Sequence, residues 1–118
     1  MITFYGYKKC VTSRKSEKAL EGFKKEYKFI DVTVKPPSKA ALKKIIAQTG
    51  EPVKKFFNTA GVAFKEMNLK DKIKTMKDAE MIELLASNGL LIKRPLVTDG
   101  EKSTVGYKED LFKKAWKK

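Results

Sequence analysis

The sequence predicts an α/β fold: a four-stranded mixed sheet with an all-helical insert between its second and third strands. Apolar runs of strand length occur near both ends of the chain, whereas the middle repeats apolar residues at helical spacing. The Asp99-Gly100 pair is a strong signal for a hairpin turn between two late strands. Together these observations predict the order β-α-β, then helices, then β-β-α.

The first predicted unit is a β-α-β crossover. Residues 1–5 are an apolar run, and residues 27–32 are the next segment of strand composition. Between them we expect a helix from about Thr12 to Lys25, with lysines opposite its apolar face. That face follows the i, i+3, i+4, i+7 spacing and comprises Ser16, Ala19, Leu20 and Phe23. A unit of this length predicts two parallel strands.

The insert is expected to cover about residues 38–88. Pro36 and Pro37 end the second strand, and Ser38 is expected to cap a helix that stops at Gly50. A helical turn after Glu51-Pro52 and one or two short helices within 62–73 follow. The last helix is expected from about Lys77 to Ser87, burying Met81, Ile82, Leu84 and Leu85.

The last third returns to strands. We expect a hairpin of 96–98 and 103–107, then a helix over 110–118 whose apolar side is Leu111, Phe112, Ala115 and Trp116. This order is thioredoxin-like and predicts the strand order β2-β1-β3-β4, with β3 antiparallel to β1. In that arrangement Arg94-Pro95, which precedes the third strand, lies beside Cys10 at the end of the first.

Length and composition predict a single domain, residues 1–118. The chain has one cysteine and no histidine, which excludes an internal disulfide and makes a metal site unexpected. We find neither a signal-peptide pattern nor an apolar run long enough to cross a membrane. We therefore expect a cytoplasmic monomer that binds no membrane.

The formal net charge of +13 raises the question of nucleic-acid binding. Of the 27 basic residues, however, only Arg14 and Arg94 are arginines, and the lysines are spread over every predicted helix. Base readout and bidentate phosphate contacts favour arginine. A solvated lysine coat is the simpler interpretation, so we expect no sequence-specific DNA binding.

Cys10 lies at the predicted turn between the first strand and the first helix. Helix-start amides and the cations Lys8, Lys9 and Arg14 would stabilise a thiolate there, and Thr12 and Ser13 are good helix caps. The alternative is an inert buried cysteine, which is common in small proteins. The residues alone leave both interpretations open.

Four segments together resemble the ArsC/Spx family of glutaredoxin-like arsenate reductases and Spx-type regulators. They run in the family's order and cover almost the whole chain: Cys10-Val11-Thr12-Ser13-Arg14-Lys15, Lys54-Lys55-Phe56-Phe57-Asn58-Thr59-Ala60-Gly61, Leu69-Lys70-Asp71-Lys72 and Leu91-Ile92-Lys93-Arg94-Pro95-Leu96-Val97. A lone C-x-x-S is weak, but C-x-T-S-R followed some 80 residues later by K-R-P-L-V is specific.

The resemblance implies roles for individual residues. Cys10 is implied as the nucleophile that attacks arsenate or a disulfide, with Ser13 stabilising its thiolate. Arg94 is implied as the anion-binding arginine, and Pro95 as a cis-proline, although residues alone would suggest a plain strand-initiating proline. The further substrate or anion-binding positions are Thr12, Arg14 and Asn58.

The sequence departs from the family pattern at several positions. Ser13 stands where Spx regulators carry the second cysteine of a C-x-x-C switch. Asn58 and Tyr107 stand at the positions of two of the three oxyanion-binding arginines of glutathione-linked arsenate reductases, and Gly6 stands where those enzymes have a histidine.

Two functions follow from the resemblance. The first is a thiol-dependent oxidoreductase without a bound cofactor, which reduces a small oxyanion or a disulfide with glutathione or another thiol as co-substrate and is regenerated by glutaredoxin or thioredoxin. The second is an Spx-like transcriptional regulator that binds the C-terminal domain of the RNA polymerase α subunit.

Overall fold

The computed structural model describes residues 1–117, and the predicted end of the last helix at Lys118 lies outside them. The four strands are β1 (Ile2–Gly6), β2 (Tyr27–Asp31), β3 (Leu96–Thr98) and β4 (Ser103–Val105). The helices are α1 (Val11–Gly22), α2 (Lys39–Thr49), α3 (Val62–Glu66), α4 (Leu69–Lys72), α5 (Asp78–Ser87) and α6 (Glu109–Trp116), with 3-10 turns at Val53–Phe56 and Gly89–Leu91.

The sheet confirms the predicted thioredoxin-like topology. Its strand order is β2-β1-β3-β4. β1 and β2 are parallel, with Ile2 opposite Tyr27, and β1 pairs antiparallel with β3, with Tyr5 opposite Leu96. The start of β3 therefore lies at the end of β1, which brings residues 94–95 level with the turn that carries Cys10.

The sheet separates two apolar layers. On one face, α1 and α6 cover a cluster of six buried residues that includes Phe4, Leu20 and Trp116. On the other face, the helices between β2 and β3 cover a larger cluster that includes Leu42, Phe56 and Leu85. The alternation of burial along β1 explains this division, because successive side chains of a strand point to opposite faces.

Local signals account for α2 and for the junctions that follow it. The Ser38 hydroxyl accepts a hydrogen bond from the Ala41 N–H at 3.1 Å, and Gly50 ends the helix at φ +71°, both as predicted. A single antiparallel bridge joins Phe57 to Ile92. That bridge ties the insert to the segment that leads into Arg94. Within residues 1–117, no helix is long and apolar enough to cross a membrane.

Some predicted boundaries and faces were wrong. Helix α1 ends at Gly22 rather than near Lys25, because Lys24 adopts a left-handed conformation with φ +59°. Strand β4 stops at Val105, because Gly106 has φ +74°. Leu84, predicted to be buried, is only half-buried. Leu111, predicted on the apolar side of α6, is 60% exposed, because α6 packs on the sheet through Phe112 and Trp116, which are four residues apart and share one face.

Candidate functional site

Cys10 is the residue immediately before the first turn of α1. Its backbone is extended (φ −94°, ψ 123°), its N–H donates to the Tyr7 carbonyl at 2.9 Å, and its carbonyl accepts from the Arg14 N–H at 3.0 Å. These two hydrogen bonds close the turn. The partly exposed Cys10 thiol therefore lies at the N-terminal end of α1, where backbone N–H groups have no partner within the helix. Thr12 and Ser13, predicted as caps, instead lie inside the first turn.

Ser13 joins the thiol to the preceding loop. Its side chain is fully buried, and its oxygen accepts a hydrogen bond from the Tyr7 N–H at 3.1 Å. Hydrogen bonding by the Ser13 hydroxyl and backbone N–H also lowers the pKa of the Cys10 thiol. A hydroxyl can donate once while accepting elsewhere, so one side chain fixes the loop and stabilises the thiolate.

The pKa of the Cys10 thiol is lowered from its ordinary value. Burial raises the pKa, but the hydrogen bonds from Ser13, the positive charge of Arg94 and the Thr12 N–H together outweigh burial. The predicted lowering of the Cys10 pKa is therefore confirmed, and the predicted helix-start amides and Ser13 hydroxyl are among its causes. The predicted cations Lys8, Lys9 and Arg14 are not among the causes of the lowered pKa.

The side chains of those three cations contact other residues or solvent. The Lys8 ammonium forms an ion pair with the buried Glu17 carboxylate at 2.9 Å and lies 4.2 Å from the centre of the Phe29 ring. Lys9 and Arg14 are exposed to solvent. Arg14 was expected to bind an anion, but it lies on the exposed side of α1, and that assignment receives no support from its position.

Arg94 is the positive charge that acts on the sulfur. The Arg94–Pro95 peptide bond is cis, as the family resemblance implied, and Pro95 is buried. Among the buried side-chain nitrogen and oxygen atoms of residues 1–117, Nη1 of Arg94 is the one without a hydrogen-bond partner. An unsatisfied buried donor is costly, and a buried guanidinium nitrogen beside a thiolate is suited to bind an anion.

Tyr7 is a component of the site that sequence reasoning missed. The guanidinium carbon of Arg94 lies 4.9 Å from the centre of the Tyr7 ring, a cation–π distance. The same residue donates its N–H to Ser13. Tyr7 therefore positions both Arg94 and Ser13, and the signal available in the sequence was an aromatic residue three positions before the cysteine.

The other predicted residues lie around this centre. The Thr12 N–H lowers the pKa of the Cys10 thiol, while the Thr12 carbonyl accepts a hydrogen bond from the Ser16 hydroxyl at 2.8 Å. Asn58 donates its backbone N–H to the Leu91 carbonyl at 2.7 Å, and its side chain packs against Gly61. Asn58 thus shapes the turn beside the bridge, and its role in anion binding stays a prediction. No cluster of three or more potential metal-binding side chains occurs in residues 1–117.

Replacement of Ser13 by Ala is expected to move the pKa of Cys10 towards the ordinary value, because the variant loses a hydroxyl that stabilises the thiolate. Only the thiolate is alkylated, so the pH profile of iodoacetamide reaction measures this pKa. Ser16→Ala is the matched control: Ser16 is also buried in α1, but its hydroxyl bonds to Thr12. A wild-type midpoint at or above about 8.5 would contradict a lowered pKa.

The amino-acid sequence is similar to one known family and to several known proteins. The sequence model of the ArsC family matches residues 5–115. The protein YusI of Bacillus subtilis is 53% identical over 115 residues, covering 98% of both chains. The regulatory protein MgsR of the same organism is 31% identical over 90% of this chain and 82% of its own length. The global transcriptional regulator Spx of Listeria innocua is 27% identical over 93% and 82%.

Two solved structures are also similar to this chain over most of its length. The crystal structure of an ArsC family related protein from Bacteroides fragilis superposes with a TM-score of 0.93 at 42% identity, covering 96% of this chain and 95% of that one. A possible arsenate reductase from Streptococcus mutans superposes with a TM-score of 0.86 at 39% identity, covering 94% and 97%.

Proposed function

Because the chain belongs to the ArsC family, we propose that it is a monothiol oxidoreductase of the arsenate reductase type, with Cys10 as its nucleophile. The single observation that carries the proposal is the unpartnered, buried Nη1 of Arg94, whose charge lowers the pKa of the Cys10 thiol. A lowered pKa supplies thiolate at neutral pH, and the guanidinium supplies a partner for an oxyanion.

The reaction begins with attack of the Cys10 thiolate on the oxidised centre of the substrate. With arsenate, a sulfur–arsenic bond forms and one oxygen leaves as water after protonation. A glutathione thiolate then attacks the Cys10 sulfur: the sulfur–arsenic bond breaks, its electron pair reduces As(V) to As(III), and a Cys10–glutathione disulfide remains. A glutaredoxin thiolate attacks the glutathione sulfur and releases Cys10 as thiolate.

This scheme requires thiols from outside the chain. Cys10 is the only cysteine, and Ser13 occupies the position of a C-x-x-C partner. The protein therefore cannot close an internal disulfide, and the mixed disulfide must be resolved by another molecule. In the proposed scheme Ser13 and the Thr12 N–H hold the thiolate in both half-reactions, and Arg94 holds the anion in the first. No bound cofactor takes part.

Turnover of arsenate with glutathione and glutaredoxin is the direct test. We expect arsenite formation that is lost completely in Cys10→Ser, because a serine hydroxyl cannot form the mixed disulfide. Omission of glutaredoxin should leave a single turnover and a protein heavier by one glutathione in intact mass spectrometry. Arsenate consumption equal in wild type and Cys10→Ser would refute the role of Cys10.

A second candidate function is supported by the regulatory relatives. MgsR and Spx are named as regulators, and each aligns with this chain over most of its length. The corresponding partner is the C-terminal domain of the RNA polymerase α subunit. If regulation is the function, the purified α domain should bind saturably to this protein, and arsenate should not be turned over. Absence of binding at micromolar concentrations would exclude this candidate.

A further inference from the structure

A cleft of about 340 Å³ runs along the free edge of the sheet at β4. One wall comes from the end of α2 and the 3-10 turn after it, the other from the start of α6, and β4 forms the floor. The lining includes neither Cys10 nor Arg94. The cleft is therefore a second concave surface, separate from the thiol site.

We propose that this edge cleft binds an extended acidic segment of a partner protein, which adds to the sheet as a strand beside β4. Three features of the described residues support this: outward-facing backbone groups, unpaired lysines and an exposed leucine. The proposal does not depend on the chemistry of Cys10.

The backbone of β4 offers hydrogen bonds at the edge. Leu96 lies opposite Val105 and Thr98 opposite Ser103, while the Gly106 N–H donates to the Pro95 carbonyl at 2.9 Å. In an antiparallel pair the hydrogen-bonded positions alternate, so the N–H and C=O groups of Ser103 and Val105 point away from β3. No other backbone segment of residues 1–117 hydrogen-bonds to them. A strand of three residues is about 10 Å long and can pair with a short peptide.

The positive charge of the cleft favours an acidic occupant. Lys55, Lys93 and Lys108 line it against one carboxylate, Glu51, and within residues 1–117 none of these lysines forms an ion pair. These lysines lie beside the short edge strand, where they oppose pairing with a second copy of the same edge because like charges would meet. An acidic strand would meet complementary charge, which favours association and fixes its register.

Leu111 supplies an apolar contact at the rim. It is 60% exposed, although it belongs to the helix that buries its neighbour Phe112 in the core. Strand addition gains affinity from backbone hydrogen bonds and specificity from pockets for alternate side chains. Leu111 and the lysines would therefore favour a segment in which acidic and aliphatic residues alternate.

The test is titration of isotope-labelled Cys10→Ser protein with a blocked five-residue peptide of alternating Glu and Val. We expect saturable NMR shifts centred on the amides of Ser103, Val105 and Leu111. A peptide with Lys in place of Glu should not bind. A Glu-Val peptide that is N-methylated on the pairing amides should bind at least about tenfold more weakly, because it keeps its charge but cannot add a strand.

Two double charge-reversal variants test the role of the lysines: one pair lies in the cleft, and the other is a matched control outside it. Lys55→Glu with Lys108→Glu should weaken binding of the acidic peptide by about tenfold. Lys43→Glu with Lys44→Glu makes the same charge change at exposed positions of α2 outside the cleft and should weaken it much less. Shifts spread over all surface lysines, equal binding of the N-methylated peptide, or equal loss in both double variants would overturn the proposal.

Discussion

Replacement of Arg94 by Ala is expected to lower kcat/KM for arsenate by about 100-fold, the usual effect of removing one donor that stabilises an oxyanion. Nη1 of Arg94 is buried without a partner, so it is free to bind substrate, and its positive charge also contributes to the lowered pKa of Cys10. The variant should therefore lose anion binding and thiolate reactivity together. Steady-state kinetics and the pH profile of iodoacetamide alkylation measure the two losses separately.

Arg94→Lys separates charge from shape. A lysine keeps the positive charge but lacks the planar fork of the guanidinium and its stacking on Tyr7. We expect it to recover most of the thiolate reactivity while turnover remains low. Full turnover in Arg94→Lys would indicate that charge alone is sufficient, and unchanged turnover in Arg94→Ala would remove Arg94 from the mechanism. Melting temperatures of both variants check that the fold is retained.

Replacement of Gly89 by Ala is expected to destabilise the protein by more than about 3 kcal/mol, because the added carbon has no space. It would overlap the Val32 carbonyl oxygen and lie 2.7 Å from the Val32 carbonyl carbon and 3.0 Å from the Thr33 Cα. All of these are backbone atoms, which cannot rotate away as a side chain would. Thermal unfolding should show a melting temperature lower by roughly 10 °C or more.

Gly22→Ala is the matched control for this prediction. It makes the same chemical change at the last residue of α1, where an added carbon meets nothing within 4 Å. Because Ala favours helix over Gly, this variant should be neutral or more stable by up to about 1 kcal/mol. If the two variants melted at the same temperature, the close packing of the 89–91 turn against the end of β2 would be wrong.

Local signals made the fold predictable. Proline and glycine positions, the β-α-β unit and the hairpin turn can each be recognised from short stretches of sequence, and together they predicted the observed strand order. Leu111 shows the limit of such patterns. Its spacing matched the apolar face of α6, but Phe112 and Trp116 already fill the contact with the sheet.

The site was less predictable because its energetics depend on side-chain partners. The topology correctly placed Arg94 beside Cys10. The sequence could not show that Lys8 is paired with Glu17, nine residues away, or that Tyr7 stacks under Arg94. The first contact depends on how the loop folds back over α1, and the second on how the loop meets the segment before β3. The helix-start amides and Ser13 were therefore predicted correctly as causes of the lowered Cys10 pKa, whereas the nearby lysines and Arg14 were not.

The division of the core by the sheet determines what a fluorescence measurement would report. Trp116 is the only tryptophan, it is buried in the layer formed by α1 and α6, and its indole N–H donates to Thr104 at 3.1 Å. Emission is therefore sensitive to that layer and to the edge strand it contacts. The helices between β2 and β3 pack on the opposite face and carry no indole. A partial opening confined to those helices would not change the emission but would appear as faster amide hydrogen exchange within residues 42–85.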